Sequence, residues 1–155
     1  PTIGIHLSAK WSSHGWTPDD LLTLIRGMLD LSPRARVVPT YGPADSPTSS
    51  PLIEMLRAGP VATRVTIAGD LRFGQWAALF AGCDIVVSPD TGALHLASAA
   101  SKAVVGLYSP STFQVNSRQW SPWKLPHRCL ELQPAVRSSS VILDSVNRLL
   151  SEVLP

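Results

Sequence analysis

Charge is scarce in this 155-residue chain. Asp, Glu, Lys and Arg make up 15% of it, and the formal net charge is +2. The basic residues are scattered rather than run together, which removes nucleic acid as the default partner. Long apolar runs are also missing. None approaches the ~20 residues that span a bilayer, and no basic-plus-apolar signal segment opens the chain. There are two cysteines, Cys83 and Cys129, each in or beside an apolar run. Two isolated cysteines supply neither a disulfide framework nor a zinc signature. Both are expected to be buried thiols in a reducing compartment.

What remains is 45% apolar residue content over a length that suits one compact domain. Short apolar runs recur along it: 2–7, 36–41, 64–68, 83–87, 103–108 and a weaker 128–132. The runs 83–87 and 103–108 are almost continuously apolar, as strands covered on both faces are. Helical patterns separate them. Thr17-Pro18-Asp19-Asp20 is a helix start with a capping hydroxyl, proline in the first turn and two acids at the positive dipole end. Further helices are expected over 52–57, 75–81 (with Gly82 as its cap), 93–100 and 141–153. The Pro-, Ser- and Thr-rich stretches 43–51 and 110–126 are expected to be loops. Strands alternating with helices predict an α/β fold with a doubly wound parallel sheet. The chain enters a strand-like run directly at Pro1, and it is expected to be a piece of a longer protein divided at a domain boundary.

Ligands of such sheets sit beyond the carboxyl ends of the strands. All five clear strand ends carry small or hydroxylated residues: Ser8 with Lys10, Gly42, Gly69, Ser88 to Gly92, and Ser109 to Thr112. The fourth is the most informative. Pro89 is expected to stop the ladder, and Asp90 and Thr91 bring a carboxylate and a hydroxyl to the tip. Gly92 permits unusual backbone angles and removes a Cβ that would block a ligand. The helix that follows aims free amides at the same place, and His95 lies about one turn on. This arrangement suits a phosphate or diphosphate. An ordinary helix cap made by Asp90 or Thr91, with His95 a half-buried side chain, fits the same residues. Elsewhere, His6 is expected to be a packed core histidine, Trp76 core, His127 surface or strand edge, and Trp120 and Trp123 loop residues near Arg118.

The run from Ser88 to Ala99 (SPDTGALHLASA), followed by Val104 to Ser111 (VVGLYSPS), resembles the heptosyltransferases, family nine of the glycosyltransferases. Gly4 to Ser8, His14-Gly15-Trp16 and Gly42 to Asp45 fit the same family, so the resemblance covers nearly the whole chain. It implies a GT-B architecture of two Rossmann-like domains across a cleft, with residues 1–155 as the C-terminal, donor-binding half and an N-terminal acceptor domain as partner. It also implies that Thr91 and Gly92 hold the diphosphate of a nucleotide-sugar donor. Asp90 then helps position the donor sugar and its phosphate, His95 supports the turn, Ser8 offers a hydroxyl to phosphate, and Ser111 is a further donor-binding residue. Asp45 is placed at the ribose and Leu71 against the base. The family usually has a lysine two residues before the motif tryptophan, and His14 stands there instead. An imidazole is mostly neutral near pH 7, so diphosphate neutralisation would weaken or become pH-dependent unless Lys10 substitutes. Helix amides with Thr91 stabilise a leaving diphosphate without a metal, so no obligatory metal or other cofactor is expected. The general base is expected in the other domain, so this chain would bind donor without turnover. Lipopolysaccharide assembly at the cytoplasmic face of a bacterial inner membrane is the family expectation. A non-catalytic nucleotide-binding or interaction module is the alternative. Asp-Thr-Gly-Ala is also the signature of retroviral-type aspartic proteases, but those are almost all β.

Overall fold

The computed structural model describes residues 1–120 and 125–154. Six parallel strands form one sheet: β1 (Thr2–His6), β2 (Arg36–Tyr41), β3 (Ala68–Gly69), β4 (Ile85–Pro89), β5 (Ala103–Tyr108) and β6 (His127–Glu131). Their order is β3-β2-β1-β4-β5-β6, that of the doubly wound dinucleotide-binding fold. The helices are α1 (Ala9–Ser13), α2 (Pro18–Asp30), α3 (Ser46–Ala58), α4 (Phe73–Ala81), α5 (Gly92–Ala99), α6 (Phe113–Trp120) and α7 (Ala135–Val153).

Alternation along the strands divides the core in two. Ile3, Ile5, Ile85, Val87, Val105 and Leu107 face one layer, where Leu24, Ile25 and Met28 of α2, Leu52 and Leu56 of α3, and Ile142, Val146 and Leu149 of α7 are buried. Val86, Val104 and Tyr108 face the other, against Phe80 of α4 and Leu94 and Leu96 of α5. Every residue of β4 and of β5 is buried, which explains their unbroken apolar runs.

The α2 start forms as its sequence requires. The Thr17 side chain accepts from the Asp20 amide and the Asp20 carboxylate accepts from the Thr17 amide, a reciprocal capping box. The Thr17 hydroxyl also donates to that carboxylate at 2.6 Å, and this bond together with the one from the Thr17 amide holds the Asp20 carboxyl below its ordinary range.

Several expected boundaries are corrected. The stretch 43–51 is not a loop: a 3-10 turn at Pro43–Asp45 leads into α3 at Ser46. Its hydroxyls fold back onto the chain, Thr48 donating to the Asp45 carbonyl and Ser50 to the Ser46 carbonyl. Polar composition therefore marks a solvated helix here. The stretch 110–126 likewise contains α6, and Trp120 ends that helix rather than lying in a loop. Trp123 lies outside the described residues. α7 begins at Ala135 because Ser138 faces inward and takes the Gln133 amide. The third strand shrinks to Ala68–Gly69, preceded by a single bridge between Val37 and Val65, because Ala62–Arg64 turns as a 3-10 helix. Pro89 does not stop the ladder: it stays in register with Leu107. Asp90 donates to the Leu107 carbonyl, so residues 88 and 90 face β5. Pro89 then faces β1, beyond the last β1 pairing at Val87, where no donor is needed.

The short helix α1 was not expected from the sequence. It ends in a Schellman motif: Trp16 N–H donates to the Trp11 carbonyl and Gly15 N–H to the Ser12 carbonyl. Gly15 sits at φ +80°, and Trp11 and Trp16 meet edge to face at 4.8 Å across the motif. Trp11 is fully buried and donates its indole N–H to the His6 carbonyl at 2.9 Å, which locks α1 to the end of β1. A Cβ on Gly15 would touch nothing within 4 Å, so Gly15→Ala isolates the cost of the left-handed backbone. It is expected to destabilise the chain by about 1–2 kcal/mol, read as a lowered urea midpoint with an unchanged slope.

Candidate functional site

β1 and β4 are neighbours at the sheet's centre, but the chain leaves them toward opposite faces. β1 leads to α1 and α2, and β4 leads to α5. A crevice opens where the two ends part, and most of the sequence-selected residues line up along it or beside it.

On the β4 side, Thr91 is the N-cap of α5. Its hydroxyl oxygen accepts from the Ala93 amide at 3.3 Å. Ser88 donates to the Pro89 carbonyl, so Thr91 is left to donate to Ser88 at 3.1 Å. The cap is thus Thr91 and not Asp90. The amides of Thr91 and Gly92 have no hydrogen-bond partner among the described residues. Gly92 is an ordinary first helical residue without a positive φ, which corrects the expectation of unusual backbone angles. A Cβ there would meet no protein atom within 4 Å.

On the β1 side, Lys10 of α1 donates its ammonium to the Asp90 carbonyl, across the crevice. His14 is the C-cap residue of α1. Its Nδ1 lies 2.9 Å from the Lys10 carbonyl and 3.1 Å from the Ser13 hydroxyl, turned back on its own helix. The structure therefore brings Lys10, not His14, to the Asp90 turn. Ser8 precedes α1, and its hydroxyl oxygen is buried without a partner among the described residues.

The remaining selected residues divide between two neighbouring places. Ser111 is exposed beyond β5, its hydroxyl 3.0 Å from that of Ser109. His95 is exposed on α5 and meets Trp120 edge to face at 5.6 Å. Toward β2, Asp45 accepts from the Ala9 amide at 3.1 Å and so caps α1 from a distance. Leu71 lines a cleft of about 160 Å³ with Thr40, Tyr41, Gly42, Pro43, Ala68 and Trp76. Asp45 Oδ2 stands beside Gly42 at its rim. Sequence reasoning missed Asn116, which donates to the Asp90 carboxylate at 3.0 Å from the first turns of α6. Reading 110–126 as a loop concealed it.

The chemistry of the other unusual groups is structural. Trp76 is half-buried between His6 and Phe80, with ring centroids at 5.1 and 5.4 Å. Cys83 is buried, and burial raises its thiol to about 11. Cys129 is half-buried rather than buried, and burial raises its thiol as well. His127 opens the edge strand β6.

The sequence model of glycosyltransferase family 9 (heptosyltransferase) matches residues 1–140. The chain belongs to this family. Its fold is similar to that of a family 9 glycosyl transferase from Veillonella parvula DSM 2008, at 19% identity and a TM-score of 0.76, covering 97% of this chain and 46% of that one. E. coli ADP-heptose lps heptosyltransferase II matches at 21% identity and 0.76, covering 98% and 47%. E. coli heptosyltransferase WaaC with ADP-2-deoxy-2-fluoro heptose matches at 20% and 0.64, covering 97% and 42%. At such identities the likeness is one of fold, and the chain spans about half the length of these structures. No curated protein matches it in sequence. Among the described residues no helix is long and apolar enough to cross a membrane.

His6 gives a pH test of the cleft wall. It is buried, with Nδ1 3.1 Å from the Thr40 hydroxyl. Burial holds it below its ordinary 6.5, against opposing pulls from the Asp45 carboxylate and from Thr40. The fold favours its neutral form, so that contribution is complete above pH 6.5 and is lost as the pH falls below it. Urea midpoints of wild type and His6→Gln are therefore expected to converge as the pH is lowered from about 7.5 to about 5.5. A constant gap would contradict this.

Proposed function

We propose that this chain is the donor-binding domain of a glycosyltransferase that transfers a sugar from a nucleoside diphosphate to a saccharide acceptor. The observation that carries the reading is the pair of unpartnered amides at Thr91 and Gly92, at the switch point of the sheet, with the Lys10 ammonium across from them. Backbone amides at a helix start and a lysine are matched to a diphosphate. Both become more valuable as negative charge builds on the leaving group, so they favour the transition state over the bound donor. An ammonium has three donors. One is spent on the Asp90 carbonyl, and two are left for phosphate oxygens.

In this reading Lys10 does what the family's lysine does at the position of His14, one helical turn earlier on α1. Ser8 and Ser111 offer hydroxyls to phosphate, His95 backs the turn, and the charge is met without a metal. The cleft lined by Leu71, Tyr41 and Trp76 takes the base, and the free Asp45 oxygen at its rim takes a ribose hydroxyl. The nucleotide is ADP and the sugar a heptose, by analogy with the E. coli enzymes whose structures the chain resembles. An N-terminal domain would bring the acceptor and the general base. The whole protein would then work on lipopolysaccharide core at the inner face of a bacterial inner membrane, and this chain alone would bind donor without turnover.

Calorimetry with ADP, UDP and GDP tests the reading. ADP is expected to bind the wild-type chain, and Lys10→Ala to weaken it by tenfold or more, the loss of about 1.5–3 kcal/mol that a charged hydrogen bond carries. His14→Ala is expected to change it by less than about threefold, because its ring faces its own helix. No binding of any nucleotide at millimolar concentration would favour the non-catalytic alternative. Sugar transfer by the chain alone would refute the division of labour.

A further inference from the structure

An aspartate just before a helix ordinarily turns its carboxylate onto the amide two residues on. For Asp90 that amide belongs to Gly92. The structure shows otherwise: the Gly92 amide is unpartnered among the described residues, and the Asp90 carboxylate accepts from Asn116 Nδ2 at 3.0 Å. The second hydrogen of the same NH2 group points to the Thr112 hydroxyl at 3.3 Å, and Thr112 donates in turn to the Ser109 carbonyl. Asn116 is therefore pinned to the end of β5 while it holds a residue at the end of β4. No cation lies within ion-pair distance of the Asp90 carboxylate among the described residues. Lys10 takes the backbone carbonyl of Asp90 instead.

We propose that Asn116 is a positioning residue: it holds the Asp90 carboxylate off the amides of Thr91 and Gly92 and so keeps that turn open to an anionic ligand. A carboxylate on those amides would fill the place with fixed negative charge, competing with a diphosphate both for donors and through repulsion. Turned toward α6, the same carboxylate is an acceptor beside the anion rather than a rival to it. An uncharged donor suits this task. A lysine or arginine at 116 would itself draw the anion and neutralise Asp90. The identity of the ligand rests on the donor reading above; the placement of the carboxylate does not.

Two measurements separate them. The first uses no ligand. In amide NMR spectra, Asn116→Ala is expected to move the Gly92 proton downfield as the released carboxylate takes it, and Asp90→Ala in the same chain to reverse the move. None of the residues of α6 is buried, so the substitution leaves the core untouched. The second is calorimetry with ADP. Asn116→Ala is expected to weaken ADP about tenfold when Asp90 is present and less than about twofold in the Asp90→Ala background. A side chain that merely stabilised α6 would act alike in both backgrounds. An unmoved Gly92 amide, or equal weakening in both backgrounds, overturns the proposal. If wild type fails to bind ADP, the donor reading falls, and the amide shift decides the role of Asn116 by itself.

Discussion

The adjacency of β1 and β4 is the constraint on which the site depends. Two parallel strands are held in register from Ile3–Ile85 to Ile5–Val87 and then released toward opposite layers. The divergence places a helix start from each strand at one crevice. Trp11 of α1 packs in the layer of α2, α3 and α7, and α5 packs on the other face. Lys10 and Asp90 are 80 residues apart in sequence and touch because of this single topological fact. The central pair is deeply buried, with Ile3, Ile5, Ile85 and Val87 inaccessible to solvent. The turns after β1 and β4 are therefore anchored on deeply buried backbone.

Around the crevice the usual satisfaction of polar groups lapses. Among the described residues Ser8 keeps a buried hydroxyl oxygen without a partner, and two amides at the start of α5 have none. Natural chains pair nearly all such groups, and departures gather where a ligand supplies what the protein withholds. The contrast with α2 is instructive. There Thr17 and Asp20 cap one another reciprocally. The same two residue types stand before α5, yet Asp90 looks away and only Thr91 caps.

Much of this was legible in the sequence. The strands 36–41 and 103–108, the Thr17 cap, the doubly wound fold and the Asp90 to Gly92 turn all follow from periodicity and local chemistry. What was not legible depended on tertiary partners. α1 has one buried residue, Trp11, and five residues with a single anchor show no helical period. α6 has no fully buried residue and packs against the core only through Phe113, so no apolar stripe announces it, and Asn116 and Trp120 stayed hidden in a supposed loop. His14 and Lys10 could be ranked only once the Schellman turn at Gly15 showed which way each side chain leaves α1. The likeness to family 9 named the turn, and the geometry shows which side chains reach it.

The two-residue strand β3 has a consequence of its own. The edge of a sheet presents unpaired donors and acceptors that a strand from another molecule can extend. Here that edge offers only Ala68 and Gly69, and the chain then enters a left-handed turn at Asp70. Such a short, sharply ended edge gives an incoming strand almost nothing to template on. The short strand beside the Tyr41 cleft thus blunts this one edge of a sheet rich in Val and Ile, and leaves β6 as the edge an incoming strand could extend.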